Sequence, residues 1–263
     1  CDQANKNDCP TINAYFDLNI KSILKKHGFP ETYDVISFNN VLANLPSPIN
    51  ALKAAKSLFN GQQSLVSIQT GYHPDQFNKG LFDYIYHEHF SYFSLKSLDF
   101  LSKKVGLGIT SSSRINLRGG SLRVFLQKDK VYNVPCCERF TEAYEINGLA
   151  QLVEVSCSHL KNSLKHFKDQ QYQIIGYGAS HSTGILVNHF QIESLIDLLV
   201  DENSLKHGLY MPGTELKVQS PSIIHSIEEK TVVVILAWQY YSIIRDKLIS
   251  KGYYNPIIKP VLP

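Results

Sequence analysis

Long apolar runs are missing from this chain of 263 residues. None approaches the ~20 residues that a membrane span requires. Dense basic blocks are missing too: 26 Lys and Arg against 23 Asp and Glu leave a net charge of +3, which argues for no nucleic-acid and no membrane partner. Cysteine is scarce and unpatterned. The five, Cys1, Cys9, Cys136, Cys137 and Cys157, form no CxxC pair, so neither a disulfide framework nor a zinc ribbon is suggested, and a reducing cytoplasm is the expected location. The polar opening CDQANKNDCP reads as no signal peptide. Hydrophobic residues make up 43% and charged residues 19%, which excludes a disordered chain and suits one large globular domain or two small ones. The 15 Tyr and 13 Phe are a heavy aromatic load, useful for packing or for ligand walls.

Hydrophobic patterning divides the chain into two organised halves. In the first, Tyr33–Leu42 reads as a buried strand ending in polar residues. Ser47 is a helix N-cap with Pro48 at the first helical position, Ile49, Leu52, Ala55 and Leu58 follow at helical spacing, and Gly61 reads as the stop. Ser64–Thr70 is a second strand. Ser94 caps a helix with Leu95, Leu98, Leu101 and Val105 on one face and Gly106 behind it. Gly108–Asn116 and Ser121–Gln127 flank Arg118-Gly119-Gly120 as a β-hairpin. The alternation predicts a parallel α/β sheet into which the hairpin inserts one antiparallel strand. From about Glu138 to Lys168 the spacing predicts one long or broken helix. The second half runs from a strand at Tyr172 through a glycine turn, Gly176-Tyr177-Gly178-Ala179-Ser180, into a helix. Strands at Ser194–Asn203 and Thr231–Trp238 and a helix from about Tyr240 follow, a Rossmann-like unit on its own sheet.

Three segments carry candidate chemistry. Asp83-Tyr84-Ile85-Tyr86-His87-Glu88-His89-Phe90-Ser91-Tyr92 concentrates titratable groups among aromatics, the setting in which pKa values are tuned for acid–base work. A histidine there suits proton abstraction beside a carbonyl; structural hydrogen bonding is the plain alternative, and a metal site would lack a third ligand. The turn Gly178–Ser182 opens a helix, where backbone N–H groups suit a phosphate, and Asp201 ends the next strand where dinucleotide folds place a ribose-binding acid. Glycine turns also occur for purely steric reasons. Arg118 and Arg123 frame the hairpin turn and suit an anionic substrate group, or simply water.

Taken in order, these motifs resemble the sugar C-methyltransferase family over nearly the whole chain. The carriers are Tyr84–His89 followed by Phe90–Leu95, Gly119–Arg123, Gly176–Ser180, Val200–Asn203 with Lys206 and Pro212–Thr214, Leu236–Trp238, and the closing Ile257–Pro263. The resemblance implies an α/β fold: the C-terminal part of a class I (Rossmann-like) methyltransferase sheet in residues 1–130, a helical linker in 131–170, and a Rossmann-like nucleotide-sugar-binding domain in 171–263. It implies S-adenosyl-L-methionine as methyl donor and a nucleotide-linked keto-deoxysugar as substrate. By the same resemblance His89 is the base that removes the proton next to the ketone, and Tyr86 and Glu88 position it and the enolate oxygen. Asn44, Tyr92, Arg118, Ser121, Arg123, Gly178, Ser180, His181 and Ser182 would bind substrate, and Phe38, Asn39 and Asn40 would form the remaining wall of the cofactor site.

The family's glycine-rich cofactor motif and its zinc cysteines have no counterpart in this sequence. The cofactor site is therefore expected to be incomplete, with zinc confined to a missing N-terminal region. The chain would be a fragment, one part of a split enzyme working with a separate N-terminal half, or a degenerate member. Asn44, Arg118 and His181-Ser182-Thr183 depart from the family's usual residues; by the resemblance the first two would lie near the substrate, which implies a sugar other than that of the best-known members. Two other readings stay open: an NAD-dependent oxidoreductase resting on Gly178 and Asp201, and a non-catalytic nucleotide-sugar-binding fragment.

Overall fold

The computed structural model describes residues 1–116, 119–129, 142–226 and 230–260, of which 142–147 and 226 are described by backbone alone. The chain separates into two compact units, Cys1–Asp75 with His87–Phe140, and Gln76–Tyr86 with Thr141–Pro263. Residues Gln76–Tyr86, which belong to the first half by sequence position, therefore pack with the second.

The first unit opens with two short helices, α1 (Asp2–Lys6) and α2 (Ile20–Lys26), and then β1 (Val35–Asn39). Helix α3 (Pro48–Ser57) starts as its caps predict: Pro48 occupies the first turn and the Ser47 hydroxyl accepts the Asn50 N–H at 3.4 Å. It does not run to Gly61. Tyr33 N–H donates to the Leu58 carbonyl at 2.7 Å and pulls the chain out of the helix there, while Gly61 begins a separate turn closed by Ser64. Strand β2 (Leu65–Gly71) follows, then α4 (His73–Asn78), whose second half from Gln76 is counted with the second unit, and α5 (Leu95–Lys104). A reciprocal Ser94–Ser97 capping box starts α5, its Leu95 and Leu98 are buried, and Gly106 follows at φ 68°. The hairpin strands are β3 (Leu107–Ile115) and β4 (Ser121–Lys128). The sheet order is β1-β2-β4-β3; β1 and β2 are parallel, and β4 is antiparallel to both neighbours. That is the mixed sheet the hairpin predicts. Its core gathers Phe38, Leu52, Val66, Ile68, Leu98, Ile109 and Val124.

The second unit begins with α6 (Glu142–Asp169), a single unbroken helix of 28 residues burying Leu149, Val153, Leu160 and Leu164. Then come β5 (Gln173–Tyr177), α7 (His181–Phe190), β6 (Leu198–Val200), β7 (Val218–Gln219), β8 (Thr231–Val234), α8 (Tyr241–Ser250) and β9 (Ile257–Ile258). All five strands are parallel, in the order β7-β6-β5-β8-β9. Strands β6 and β8 are shorter than their apolar runs. Helical turns at Glu193–Leu195 and Trp238–Tyr240 take the flanking residues. The chain goes outward from β5 on one side, then returns to its other side with β8. The switch point, where ligands sit in open α/β sheets, therefore lies between β5 and β8.

Candidate functional site

In the first unit, the segment after α4 is tied to the C-terminal ends of the two parallel strands. Phe90 and Ser91 N–H groups both donate to the Ala43 carbonyl, at 2.8 and 3.1 Å, just beyond β1. Tyr72 pairs with Phe93 at the end of β2, and His73 N–H donates to the Phe93 carbonyl at 3.0 Å. These bonds set His89 and Tyr92 at the strand ends. The His89 ring meets Tyr92 edge-on with centroids 6.0 Å apart, and Tyr92 in turn lies 5.8 Å from the His73 ring. His89 and Glu88 are half-buried, and His87 is exposed. Asn44 is half-buried next to Ala43, whose carbonyl holds the segment, and Asn39 stands exposed at the end of β1. Asn40 adopts φ 54° and donates its N–H to the Gln69 carbonyl at 2.8 Å, bending the chain away from the strand. The arrangement gathers an imidazole, a phenol and amide side chains where an α/β sheet offers a ligand its strand ends. Sequence reasoning missed His73, whose only signal was its place directly after a strand.

Three expected site residues are placed differently, and a fourth is not described. Phe38 is 4% exposed and packs edge-on against Phe16 at 5.3 Å, so it belongs to the core and Asn39 and Asn40 are the corner left to a ligand. Ser121 is 1% exposed at the start of β4 and has no surface to offer. Arg123 donates to Gln69 Oε1 at 2.5 Å, its register partner on β2, so its guanidinium is committed within the sheet. Arg118 lies outside the described residues.

A turn at His87–Glu88 separates Tyr86 from His89. Tyr86 falls in the second unit and His89 in the first. The Tyr86 ring stacks on His181 with centroids 6.0 Å apart.

In the second unit, the glycine turn is closely packed and internally bonded. Gly178, at φ 105°, is so close to the loop after β8 that a Cβ there would stand 2.5 Å from Ala237 Cβ. Ser180 is the N-cap of α7 and accepts the Thr183 N–H at 3.2 Å, and its hydroxyl also bonds that of Ser182 at 3.0 Å. The Ala179 N–H donates to Asp201 Oδ2 at 2.7 Å, the Asn203 N–H to Oδ1 at 2.8 Å, and Lys206 Nζ to Oδ2 at 3.2 Å. Burial would raise the Asp201 pKa, but these donors outweigh it and hold the carboxyl below its ordinary value. Next to it, Glu202 is held low by Lys247 and by the Tyr177 hydroxyl, which donates to it. Tyr177 is pushed up by burial and by that acidic pair. In the turn, Ser180 and His181 are exposed and Ser182 is half-buried.

A family model described as the C-methyltransferase C-terminal domain matches residues 116–252, more than half of the chain. The chain belongs to that family. A second model, a methyltransferase domain, matches residues 4–112, in keeping with the mixed α/β sheet of the first unit and the class I Rossmann-like expectation. C-methyltransferase NovU from Streptomyces niveus is 25% identical over 254 residues, which cover 90% of this chain and 58% of NovU. The chain thus spans less than two thirds of that relative's length.

A methyltransferase domain implies S-adenosyl-L-methionine, and the C-methyltransferase residues present fit it in one corner. Asn39 and Asn40 supply polar groups at the end of β1. The strand-to-helix connections of the first unit, from β1 to α3 and from β2 to α4, have no glycine pair of the kind that lets backbone approach a ligand closely. Among the described residues no group of His, Cys, Asp and Glu is placed to hold a metal, and no helix is long and apolar enough to cross a membrane.

Proposed function

We propose that this chain carries the substrate-activating part of a C-methyltransferase that acts on a nucleotide-linked keto-deoxysugar. Its setting is the reducing cytoplasm that unpatterned cysteines suit. The observation that carries the reading is the placement of His89 and Tyr92 at the ends of β1 and β2, held by the Ala43 carbonyl, in a chain of this family. S-adenosyl-L-methionine, when bound, supplies an electrophilic methyl group. The chain's own part is to prepare the carbon that takes it. His89 accepts the proton from the carbon beside the ketone, leaving the electron pair as an enolate. Glu88 accepts from the imidazole and orients it, and the Tyr86 hydroxyl donates to the developing enolate oxygen, the place where fixed donors lower a barrier most. Asn44 and Tyr92 contact the sugar, and the Gly178–Ser182 turn contacts the nucleotide through its exposed His181. Ser180 serves that turn as its helix cap.

The oxidoreductase alternative needs Asp201 for a ribose, and three donors already hold that carboxylate. The non-catalytic alternative is addressed by the same experiment as the main reading. The full-length protein is incubated with S-adenosyl-L-methionine and a panel of keto-deoxysugar nucleotides, and products are read by mass spectrometry. A gain of one methyl is expected for one sugar. His89→Ala should lower that rate ~10²–10⁴-fold, the usual worth of a general base, while nucleotide-sugar binding by calorimetry stays within a few-fold. Turnover near that of wild type in the variant would move the base elsewhere in the segment.

A further inference from the structure

The switch point of the second sheet holds a part of the chain itself. Residues Gln76–Tyr86 pack with that unit, and within them Asp83 is 2% exposed. Its Oδ2 accepts the Trp238 indole N–H at 2.6 Å, across 155 residues of sequence. The Ser182 hydroxyl and the Asp83 backbone N–H are its other hydrogen-bond partners. Trp238 stands in the loop after β8, and Ser182 in the first turn of α7 after β5. The two partners therefore come from opposite sides of the switch point, and Asp83 joins them. Its neighbours strengthen the seat: Phe82 stacks on Phe190 at 5.2 Å and lies 4.9 Å from the His189 ring, and Tyr86 stacks on His181.

We propose that Asp83 is a positioning residue: its carboxyl latches the segment ending at Tyr86 onto the C-terminal edge of the second sheet, and so decides where Tyr86 stands. A buried carboxyl is an expensive way to fill a core position, and an apolar side chain would do so without desolvating a charge. Among the described residues no ion pair compensates it. What the carboxyl adds is direction. Two donors on two loops can be satisfied together in one placement of the segment, and a helix N-terminus favours the anion there. The ionisable groups beside the segment that carries it are His181 at the head of α7, stacked on Tyr86, and His189 toward its end, against Phe82. Burial pushes the carboxyl up to about 6, against the lowering pull of the Trp238, backbone and Ser182 hydrogen bonds.

The consequence for catalysis rests on the proposed role of Tyr86, but the latch has its own readout. Trp238 is the sole tryptophan of the chain, so its fluorescence reports on the indole that bonds Asp83. In the full chain, wild-type emission should titrate with a midpoint near pH 6, and Asp83→Asn should remove the transition. Ser182→Ala, which deletes one donor to the anion, should move the midpoint upward and decides the matter if Asp83→Asn does not fold. A flat wild-type titration, a transition that survives Asp83→Asn, or an unmoved midpoint in Ser182→Ala would each overturn the latch. In the methyl-transfer assay Asp83→Asn should lower kcat ~10–100-fold with KM for the sugar nucleotide little changed, as expected when a reacting group is misplaced rather than removed. An unchanged kcat would overturn the positioning role. If wild type methylates no sugar while its fluorescence titrates as expected, the reading of the activity falls and the latch stands.

Discussion

The turn after β1 and the turn after β5 occupy equivalent places, each at the C-terminal end of a parallel strand, yet they spend their polar groups differently. After β1, backbone groups do the bonding: the Asn40 N–H goes to Gln69 and the Ala43 carbonyl takes two N–H groups from the His89–Tyr92 segment. The Asn39 side chain is left exposed and that of Asn44 half-buried. After β5, side chains are drawn inward: Asp201 takes the Ala179 N–H, Ser180 caps α7, and Ser182 bonds Ser180 and Asp83. The glycine-containing turn, the one whose sequence most suggests a phosphate site, is the more self-contained of the two. A glycine at φ > 0 marks a tight approach of backbone, and the approach here is to Ala237.

The largest effect should come from filling that approach. Gly178→Val would put a side chain 2.5 Å from Ala237 Cβ at φ 105°. A loss of ~3 kcal/mol or more is expected from strain and overpacking together. Gly28→Ala, at φ 73° with nothing within 4 Å, should cost only the backbone term of ~1 kcal/mol. Urea unfolding followed by Trp238 fluorescence for the first variant and by amide exchange around α2 for the second would measure both. Equal losses would mean that the β5 turn is not packed as described.

Asp201→Ala should rank next. It strands the half-buried Ala179 N–H and leaves Lys206 only the Ala179 carbonyl, for a cost of ~1–3 kcal/mol. It also separates two opposite pH dependences. Asp201 is held below its ordinary pKa, so its contribution is present above the unfolded value and is lost as pH falls through the folded one. Asp83 is raised from 3.8 to about 6, so the folded state binds its proton more tightly and the second unit gains stability as pH falls from 7 toward 4. Wild type should therefore show a stability maximum on the acid side of neutrality. Asp201→Ala should lose the steep decline below it, and Asp83→Asn the rise before it.

The smallest effects should fall on the caps. Ser94→Ala removes one arm of the capping box of α5 and keeps the other, the residue-94 N–H to the Ser97 hydroxyl, and Ser180→Ala removes the single cap of α7, each at ~1 kcal/mol. Hydrogen exchange should speed at Ser97 in the first variant and at Thr183 in the second. If Ser180→Ala instead proved the costlier by far, the inward bonding of the β5 turn would be its main support.

The sequence by itself determined the local elements. Ser47 with Pro48, and Ser94 with Ser97, start helices because their hydroxyls and ring act within four residues. The alternation around Gly119 and Gly120 specifies a hairpin for the same reason, and the apolar runs at Ile174, Leu199 and Val232 mark strands buried on both faces. Tertiary structure alone decided the rest. Phe38 looks like a ligand wall until Phe16 is seen against it. Gly61 looks like a helix stop until Tyr33 ends the helix earlier. The two-residue strands β7 and β9 exist only as partners of their neighbours. Asp83 reads as one acid in an aromatic loop, and only packing brings Trp238 and Ser182 to it. Caps and turns act through bonds between near neighbours in the chain, whereas burial and long-range hydrogen bonds depend on which distant residues arrive, and one sequence written in a line carries no record of that.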